Sequence, residues 1–399
     1  MSNKLHYTVV IVGGGTGGIT TAAQLLRADS RLFNEIAIVD PAEKHYYQPL
    51  WTLVGAGQVN REVTERDEES VIPDGAKWIR DAVAAFYPEE NRVVTAGGQE
   101  LSYDYLVVAP GIQIDWDKIK GLKENMGKNG VCSNYAYETA ESTWESMRKF
   151  KGGTAIFTAP NTPIKCGGAP QKIMYLAEDY FRKAGIRDKS SVVFASGGTI
   201  IFGVKKYAET LSRIVDERGI ETKFYHNLVE IDGENQIAVF EHLQSGERVS
   251  IHYDMIHVVP PMSAPDFIKE SPLSNEAGWL DVDKYTLQHP RYRNVFGIGD
   301  ATSLPTSKTG AAIRKQAPVL IKNLLAEMKK HALPAKYNGY TSCPLITGYG
   351  RLVLAEFDYD NNPAETFPFD QAKERYSMYL LKKDILPIVY WNGMLKGLM

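Results

Sequence analysis

The stretch Tyr7-Thr-Val-Val-Ile-Val-Gly-Gly-Gly-Thr-Gly-Gly18 decides the fold of the chain. Its apolar half is typical of a buried parallel strand, and its glycine-rich half has the G-x-G-x-x-G spacing of a dinucleotide-binding turn. The residues from Ile19 to Arg27 have a helical pattern, and a second predicted strand, 35–39, ends directly before Asp40. Glycines at such a turn let a pyrophosphate approach the helix N-terminus, and the acid at the end of the second strand binds a ribose.

A Rossmann-type dinucleotide site is therefore predicted at this turn. Its expected ligands are Gly13, Gly15, Gly18 and Asp40. The alternative, a glycine-rich turn without a ligand, is disfavoured because both the strand and the helix of the motif are in place.

Length and composition limit the classes of protein. The 399 residues suggest two or three domains, and 44% hydrophobic with 23% charged residues is an ordinary globular composition. A net charge of -3 argues against nucleic acid as a partner. Three cysteines indicate an intracellular chain without a disulfide framework. No leader peptide, membrane-spanning run or metal cluster is predicted from the sequence.

A second predicted strand-to-helix turn carries a cysteine instead of a phosphate loop. Asn161-Thr-Pro-Ile-Lys-Cys-Gly-Gly-Ala-Pro-Gln-Lys172 follows the apolar run 153–158 and leads into the helical run 171–177. Backbone N–H groups and the helix dipole favour a thiolate at such a position. We interpret Cys166 as a redox sulfur; the alternative is a buried structural cysteine. Because this turn has no glycine-rich loop, we predict a Rossmann-like sheet that has lost nicotinamide binding. Ser196–Thr199, at the end of a later predicted strand, is a weaker candidate phosphate loop.

Two further stretches resemble the flavin disulfide-reductase superfamily. Tyr103–Gly111 is similar to the strand and turn with which those proteins return from their first domain, and Asn294–Asp300 is similar to their second FAD motif. The resemblance implies FAD as the cofactor, with Gly111, Gly299 and Asp300 as additional ligands.

The predicted fold class is α/β, with two doubly wound Rossmann-like domains and a C-terminal membrane-interface segment. An FAD domain, residues 1–120 and 290–330, is interrupted by a second dinucleotide-type domain, residues 121–289. Residues 331–399 form the C-terminal region.

Other stretches carry a more specific resemblance: His45–Leu50, Val54–Gly57, Ile164–Tyr175, Ile201–Tyr207, Pro305–Thr309, Tyr340–Leu345 and Thr366–Asp370. They resemble the sulfide:quinone oxidoreductase family, especially the branch that contains the mitochondrial enzyme. The resemblance implies a redox pair, Cys166 and Cys343, joined by a disulfide or polysulfide bridge. Hydrogen sulfide attacks the bridge and leaves a persulfide, two electrons pass through FAD to a quinone, and a small acceptor takes the sulfur. That acceptor is sulfide, glutathione, sulfite or cyanide.

Four other residues are candidates for the same site. Lys172 is expected to favour a thiolate or persulfide at Cys166, and Lys308 and Gln48 are expected beside the flavin. Cys132 is a third sulfur that could carry sulfur or link to the flavin. The alternatives are solvated surface lysines and an inert core cysteine.

The last residues, Ala372–Met399, predict contact with a membrane surface. Their apolar runs are rich in aromatic residues, Met and Leu but too short to span a bilayer, and Pro387 is expected to break the second run. An interfacial helix pair is predicted; the alternative is a pair packed on the protein core. The expected location is a peripheral, monotopic position on the cytoplasmic face of a bacterial membrane, favoured over the mitochondrial inner membrane. A homo-oligomer is compatible with the sequence.

Three other functions remain open at this point. A type II NADH:quinone oxidoreductase shares the architecture but needs the second glycine loop that is missing here. The flavin subunit of a flavocytochrome-type sulfide dehydrogenase would be exported. A flavin-binding redox sensor without enzymatic activity would show no bleaching of its flavin by sulfide.

Overall fold

A computed structural model describes residues 5–399 of the protein. The strands are β1 Leu5–Val12, β2 Ile36–Val39, β3 Lys44–Tyr46, β4 Glu65–Asp67, β5 Ala76–Ile79, β6 Val83–Tyr87, β7 Arg92–Thr95, β8 Glu100–Val108, β9 Gln113–Ile114, β10 Val131–Cys132, β11 Gly153–Ala159, β12 Ser190–Ser196, β13 Glu221–Lys223, β14 His226–Asp232, β15 Ile237–His242, β16 Arg248–His252, β17 Met255–His257, β18 Met262–Ser263, β19 Val295–Gly297, β20 Thr341–Gly348 and β21 Arg351–Phe357. The α-helices are α1 Thr16–Ala28, α2 Trp51–Gly55, α3 Leu122–Asn125, α4 Ala140–Lys149, α5 Ala169–Lys183, α6 Lys205–Glu217, α7 Asp266–Lys269, α8 Gly310–Met328, α9 Tyr376–Leu380 and α10 Leu386–Val389.

The first sheet has the order β5-β2-β1-β8-β7-β6, and β19 also pairs with β8. Strands β5, β2, β1, β8 and β19 run parallel, whereas β7 pairs antiparallel with both β8 and β6. The inner strands are apolar runs buried on both faces, as parallel strands covered by helices require. The pairing of Val295 with Leu106 returns the chain to this sheet after a long excursion.

The second sheet, of order β10-β17-β11-β12-β13, is parallel throughout. Helix α5 connects β11 to β12, and α6 follows β12, so the predicted alternation of strands and helices is confirmed. The sequence reading did not predict the antiparallel β14-β15-β16 sheet beside it. Its alternating apolar residues, such as Phe240, pack into one cluster with Ile156 and Val193 of the parallel sheet.

The second candidate cysteine lies on a β-hairpin that the sequence did not reveal. Cys343 is on β20, opposite Ala355 of β21. β20 packs along α5, the helix that follows Cys166. Two candidate residues far apart in sequence are thereby carried by neighbouring elements.

The C-terminal segment, Tyr376–Met399, follows one helical path to Met394 instead of forming the predicted helix pair. The path continues because the wider turns Leu381–Ile385 and Tyr390–Met394 flank α10, which carries Pro387 near its start. Single π-type turns release backbone groups without ending a helix, which accommodates the missing N–H of proline. Within residues 5–399, no helix has both the length and the apolar character needed to cross a membrane.

Candidate active site

The sulfur atoms of Cys166 and Cys343 are in contact. Their Sγ atoms are 3.7 Å apart, well beyond the roughly 2.0 Å of a disulfide bond, so both cysteines are reduced here. Cys343 is fully buried and Cys166 is half-buried. The structure thus brings together the two cysteines that the sequence singled out.

The turn that holds Cys166 is strained. Its φ of 91° lies in a region that side chains other than glycine rarely adopt, at a cost of roughly 1–3 kcal/mol. The N–H of Ala169 donates to the Cys166 carbonyl at 2.6 Å and closes the turn before α5. The Gly167 N–H donates to Ser307 Oγ at 3.2 Å, which ties the turn to the loop before α8. Such strain at a reactive side chain supports a functional reading of the turn.

Lys172 reaches back along the first turns of α5 to Cys166. Its Nζ is 3.2 Å from Cys166 Sγ, and the residue is only 4% exposed. The alternative of a solvated surface lysine is therefore wrong. A hydrogen bond from the Cys343 thiol and the charge of Lys172 hold the pKa of Cys166 well below its usual range. The neighbouring Cys166 sulfur and burial raise the pKa of Cys343 well above its usual range. The pair is therefore asymmetric, with a thiolate at Cys166 and a protonated Cys343.

A cavity of about 340 Å³ lies near the sulfur pair, and Ser307 stands between the cavity and Cys343. Ser307, one of its lining residues, has its Oγ 3.7 Å from Cys343 Sγ. Trp279 and Lys308 also line it, with Lys308 Nζ 4.0 Å from the centre of the indole ring. The cavity is large enough for a small solute and includes a cation at its wall.

A buried lysine from the C-terminal segment also lies near the pair. Lys382 is almost fully buried, its Nζ donates to the Pro49 carbonyl at 3.0 Å, and burial lowers its pKa to about 7. Lys172 and the two cysteines are close enough to influence it. The sequence analysis placed the whole segment 372–399 at a membrane surface and did not single out Lys382. Its place within an apolar run was the only signal that it is buried.

The first glycine turn fits a dinucleotide. α1 begins at Thr16, and its first internal hydrogen bond joins Ile19 N–H to Gly15 O, so the preceding N–H groups have no partner within the helix. A Cβ at Gly15 would meet nothing within 4 Å, whereas a Cβ at Gly18 would lie 1.8 Å from the Gly13 carbonyl oxygen. The turn therefore offers open space and free donors to an anion, and its buried glycine permits close packing. Asp40 lies beside it and accepts from Gly14 N–H at 2.5 Å.

The second set of predicted FAD ligands lies near the sulfur turn. Asp300 follows Gly299, whose φ is 81°, and Lys165 and Lys308 are its nearest cations. Burial lowers the pKa of each of these lysines to about 8, while the charge of Asp300 opposes the shift. Burial raises the pKa of Asp300 itself. This cluster of half-buried charges is typical of a ligand site.

Two other predicted FAD ligands have defined places. Gln48 is exposed and accepts from Lys165 Nζ at 2.9 Å, so it is tied to the residue before Cys166. Gly111, with a φ of 78°, faces open space just beyond Ala109, whose carbonyl oxygen lies against Gly13. Lys165 was missed as a site residue, although its position next to Cys166 was a signal for it.

Cys132 is placed in the core and not with the sulfur pair. It lies on β10, is fully buried, and its thiol is 3.5 Å from the Ile256 carbonyl oxygen. Burial raises its pKa to about 12, which leaves it protonated and unreactive at neutral pH. Its geometry supports the alternative of an inert core cysteine over a role in sulfur transfer. Among the described residues, no cluster of three or more potential metal ligands occurs.

The chain is similar to several known proteins. The family model described as pyridine nucleotide-disulphide oxidoreductase matches residues 7–144. "Sulfide:quinone oxidoreductase, mitochondrial" from Mus musculus is 53% identical over 395 residues, which cover 99% of this chain and 87% of the relative. The chain belongs to the sulfide:quinone oxidoreductase family. The protein of the same name from Dictyostelium discoideum is 54% identical over 393 residues, covering 98% of this chain and 86% of the relative.

A solved structure of the family shares the fold. The sulfide:quinone oxidoreductase from Aquifex aeolicus superposes with a TM-score of 0.84 at 19% identity, covering 99% of this chain and 92% of that one. The predicted fold class and FAD as the cofactor are thereby confirmed. Relatives from Mus musculus, Dictyostelium discoideum and Schizosaccharomyces pombe are named mitochondrial, which conflicts with the expected bacterial membrane. Family membership does not favour the NADH:quinone or redox-sensor alternatives.

Proposed function

We propose that this protein oxidises hydrogen sulfide at the Cys166–Cys343 pair and passes the electrons to a quinone. One observation carries the proposal: the two Sγ atoms are 3.7 Å apart, with Lys172 Nζ 3.2 Å from one of them. Sulfur exchange requires two sulfurs in reach of each other and a stabilised thiolate, and this arrangement supplies both.

The asymmetry of the pair supports a direction for the first step. In the oxidised enzyme, Cys166 and Cys343 are joined by a disulfide. HS⁻ attacks the sulfur of Cys343, the S–S bond breaks, and its electron pair leaves on Cys166 as a thiolate. Cys343 then carries the persulfide. The sulfur with the lower pKa is the better leaving group, and Lys172 stabilises the charge that develops on Cys166.

After sulfur transfer, the thiolates of Cys166 and Cys343 would re-form their disulfide, which releases two electrons; FAD, when bound, would supply the acceptor that takes this pair and passes it to the quinone. The residues that would hold it are the glycine turn with Asp40, and Gly111, Gly299, Asp300 and Lys308. Lys165, whose Nζ donates to Gln48 and to the Tyr135 carbonyl at 2.9 Å, would keep a cation at the edge of this site. The strained turn would hold the Cys166 sulfur beside the cofactor while burial excludes water.

The cavity beside Ser307 supports access of small solutes to Cys343. Sulfide would enter here, and the acceptor of the persulfide sulfur would follow the same route. The nucleophilic acceptor attacks the outer sulfur, and the electron pair of that S–S bond returns to Cys343 as a thiolate. Lys308 at the cavity wall would attract anionic acceptors, a class that includes sulfite, cyanide and glutathione, while Asp358 on the same wall would oppose this attraction.

The outward face of the C-terminal segment supports peripheral attachment to a membrane. Tyr376, Ile385, Ile388 and Leu398 are all largely exposed there. Apolar and aromatic side chains of this kind insert into a lipid interface. We further propose the boundaries given above for the FAD domain, the inserted domain and the C-terminal region.

Replacement of each cysteine tests the proposal. Cys166→Ser and Cys343→Ser are each expected to lower sulfide-dependent reduction of a short-chain quinone by about 10³-fold or more, because a nucleophilic sulfur is lost. Cys132→Ala, which changes a cysteine outside the pair, is the matched control and should retain the rate. Full activity in either serine variant would refute the proposed pair.

A further inference from the structure

The C-terminal segment reaches back to the first glycine turn. The Tyr390 hydroxyl is 2.8 Å from Thr16 Oγ1, on the first residue of α1, and 2.5 Å from His45 Nε2. Tyr390 is only 5% exposed. These contacts join the C-terminal segment to the beginning of α1, whose first N–H groups have no partner within the helix and would face a bound dinucleotide. Nothing in the sulfur chemistry requires them.

A buried polar network lies behind Tyr390. His45 Nδ1 is 3.2 Å from the Gly14 carbonyl oxygen and 3.2 Å from Glu68 Oε2. Both side chains are almost completely buried. The other oxygen of Glu68 has no hydrogen-bond partner within the described residues and lies where a Cβ of Gly14 would be. The network therefore connects Tyr390 to two positions of the glycine turn, Thr16 and Gly14.

Packing holds the segment in this position along α1. The Tyr390 ring lies 4.6 Å from Tyr47, measured between centroids. Gln24 Nε2 donates to the Met399 carbonyl at 2.6 Å, and a Cβ at Gly397 would lie 2.7 Å from the Ala23 backbone. The segment is therefore in contact with the glycine turn at one point and with the second turn of α1 at another.

We propose that the C-terminal segment is a clamp on the dinucleotide turn and that Tyr390 is a positioning residue for FAD retention. Its hydroxyl, shared between Thr16 and His45, fixes the first residue of α1. A turn held in the binding conformation loses less conformational entropy when the pyrophosphate binds, so the cofactor dissociates more slowly. The clamp acts on the cofactor and not on the sulfur pair, so its test is independent of sulfide oxidation.

Release of FAD from the purified holoenzyme tests the clamp. The rate is read from the rise of flavin fluorescence after dilution. Tyr390→Phe keeps the ring and removes the hydroxyl, and it is expected to speed release by about threefold to tenfold, the effect of one lost hydrogen bond. Tyr376→Phe, at a tyrosine of the same segment that is 63% exposed, is the control and should release FAD at the wild-type rate. Equal rates in wild type and Tyr390→Phe would overturn the proposal, as would equal acceleration in both variants.

Two further variants separate the clamp from a general loss of stability. His45→Gln removes the imidazole that contacts the Tyr390 hydroxyl, so it should also accelerate the release of FAD. In a Thr16→Val background, Tyr390→Phe should have a smaller effect than in the wild type, because one of its two partners is already missing. Tyr390 would not act through the turn if Tyr390→Phe sped FAD release as much in the Thr16→Val background as in the wild type. The same would follow if FAD release accelerated only in proportion to a fall in Tm.

Discussion

Two strand-to-helix turns occupy equivalent places in the two parallel sheets. The turn between β1 and α1 consists of glycines, and the turn between β11 and α5 carries Cys166, whose φ is 91°. Both lie at a helix N-terminus, and both would stabilise negative charge. The first is open, since a Cβ at Gly15 would meet nothing, and suits a large anion that approaches the backbone. The second contains its own anion, a thiolate with Lys172 beside it.

The difference shows how one scaffold position serves two chemistries. A phosphate site needs glycine where the ligand comes close. A thiolate site needs one side chain held at a fixed position and a cation near it, here at the cost of backbone strain. The second turn therefore has a cysteine and a lysine in the role that glycines have in the first.

The largest expected difference between the turns is in their tolerance of a methyl group. A Cβ at Gly18 would lie 1.8 Å from a backbone oxygen, whereas a Cβ at Gly168 would meet the mobile end of Leu345 at 2.2 Å. Gly18→Ala should lower the free energy of unfolding by about 3 kcal/mol or more and reduce FAD content. Gly168→Ala should cost about 1–2 kcal/mol and leave FAD content unchanged. Urea denaturation measures the free energy of unfolding, and flavin absorbance measures the FAD content. A smaller loss of unfolding free energy for Gly18→Ala than for Gly168→Ala would contradict the close packing described for the first turn.

A smaller effect is expected from the cation of the second turn. Lys172→Met should raise the pKa of Cys166, so that alkylation of this cysteine by iodoacetamide slows by about tenfold at pH 7 and recovers at higher pH. The sign follows from the charge, since a cation favours the thiolate and its loss favours the thiol. The pH dependence of alkylation at Cys166, followed by mass spectrometry, provides the measurement.

Lys382→Met is the matched control for that change. Lys382 is more weakly coupled to the Cys166 sulfur than Lys172 is, so its replacement should shift the alkylation profile less. An equal shift in both variants would mean that the direct contact with Lys172 is not the source of the thiolate.

The smallest effect is expected at the third cysteine. Cys132 is buried on β10, an edge strand of the second sheet, and its thiol contacts the Ile256 carbonyl. Cys132→Ala should cost about 1–2 kcal/mol of stability and leave sulfide oxidation unchanged. Thermal unfolding together with the quinone assay measures both. A large loss of activity with little loss of stability would restore Cys132 as a sulfur carrier.

The sequence predicted the strand, the turn and the helix at both places because each set lies in one continuous stretch of residues. Strand, glycines, helix and Asp40 follow one another around the first turn, and Cys166 stands directly before α5. The proximity of Cys343 came only from the family resemblance, because the pairing of β20 with β21 and its packing on α5 are long-range.

Burial was harder to predict than secondary structure. Lysine is usually a surface residue, yet Lys172 and Lys382 are both almost fully buried near the sulfur pair. The contact of Tyr390 with Thr16 joins the two ends of the chain, and no local pattern encodes it. In each case the burial or the contact of the residue depends on tertiary packing, which the residue type alone does not predict.

Anaerobic titration of the holoenzyme with sulfide, followed at the flavin absorbance band, tests the central claim most directly. The account predicts that sulfide bleaches the flavin, that a short-chain quinone restores it, and that NADH has no effect. Cys166→Ser and Cys343→Ser should abolish the bleaching while retaining FAD. Bleaching by NADH but not by sulfide, or bleaching by sulfide in both serine variants, would contradict electron transfer from sulfide through the Cys166–Cys343 pair.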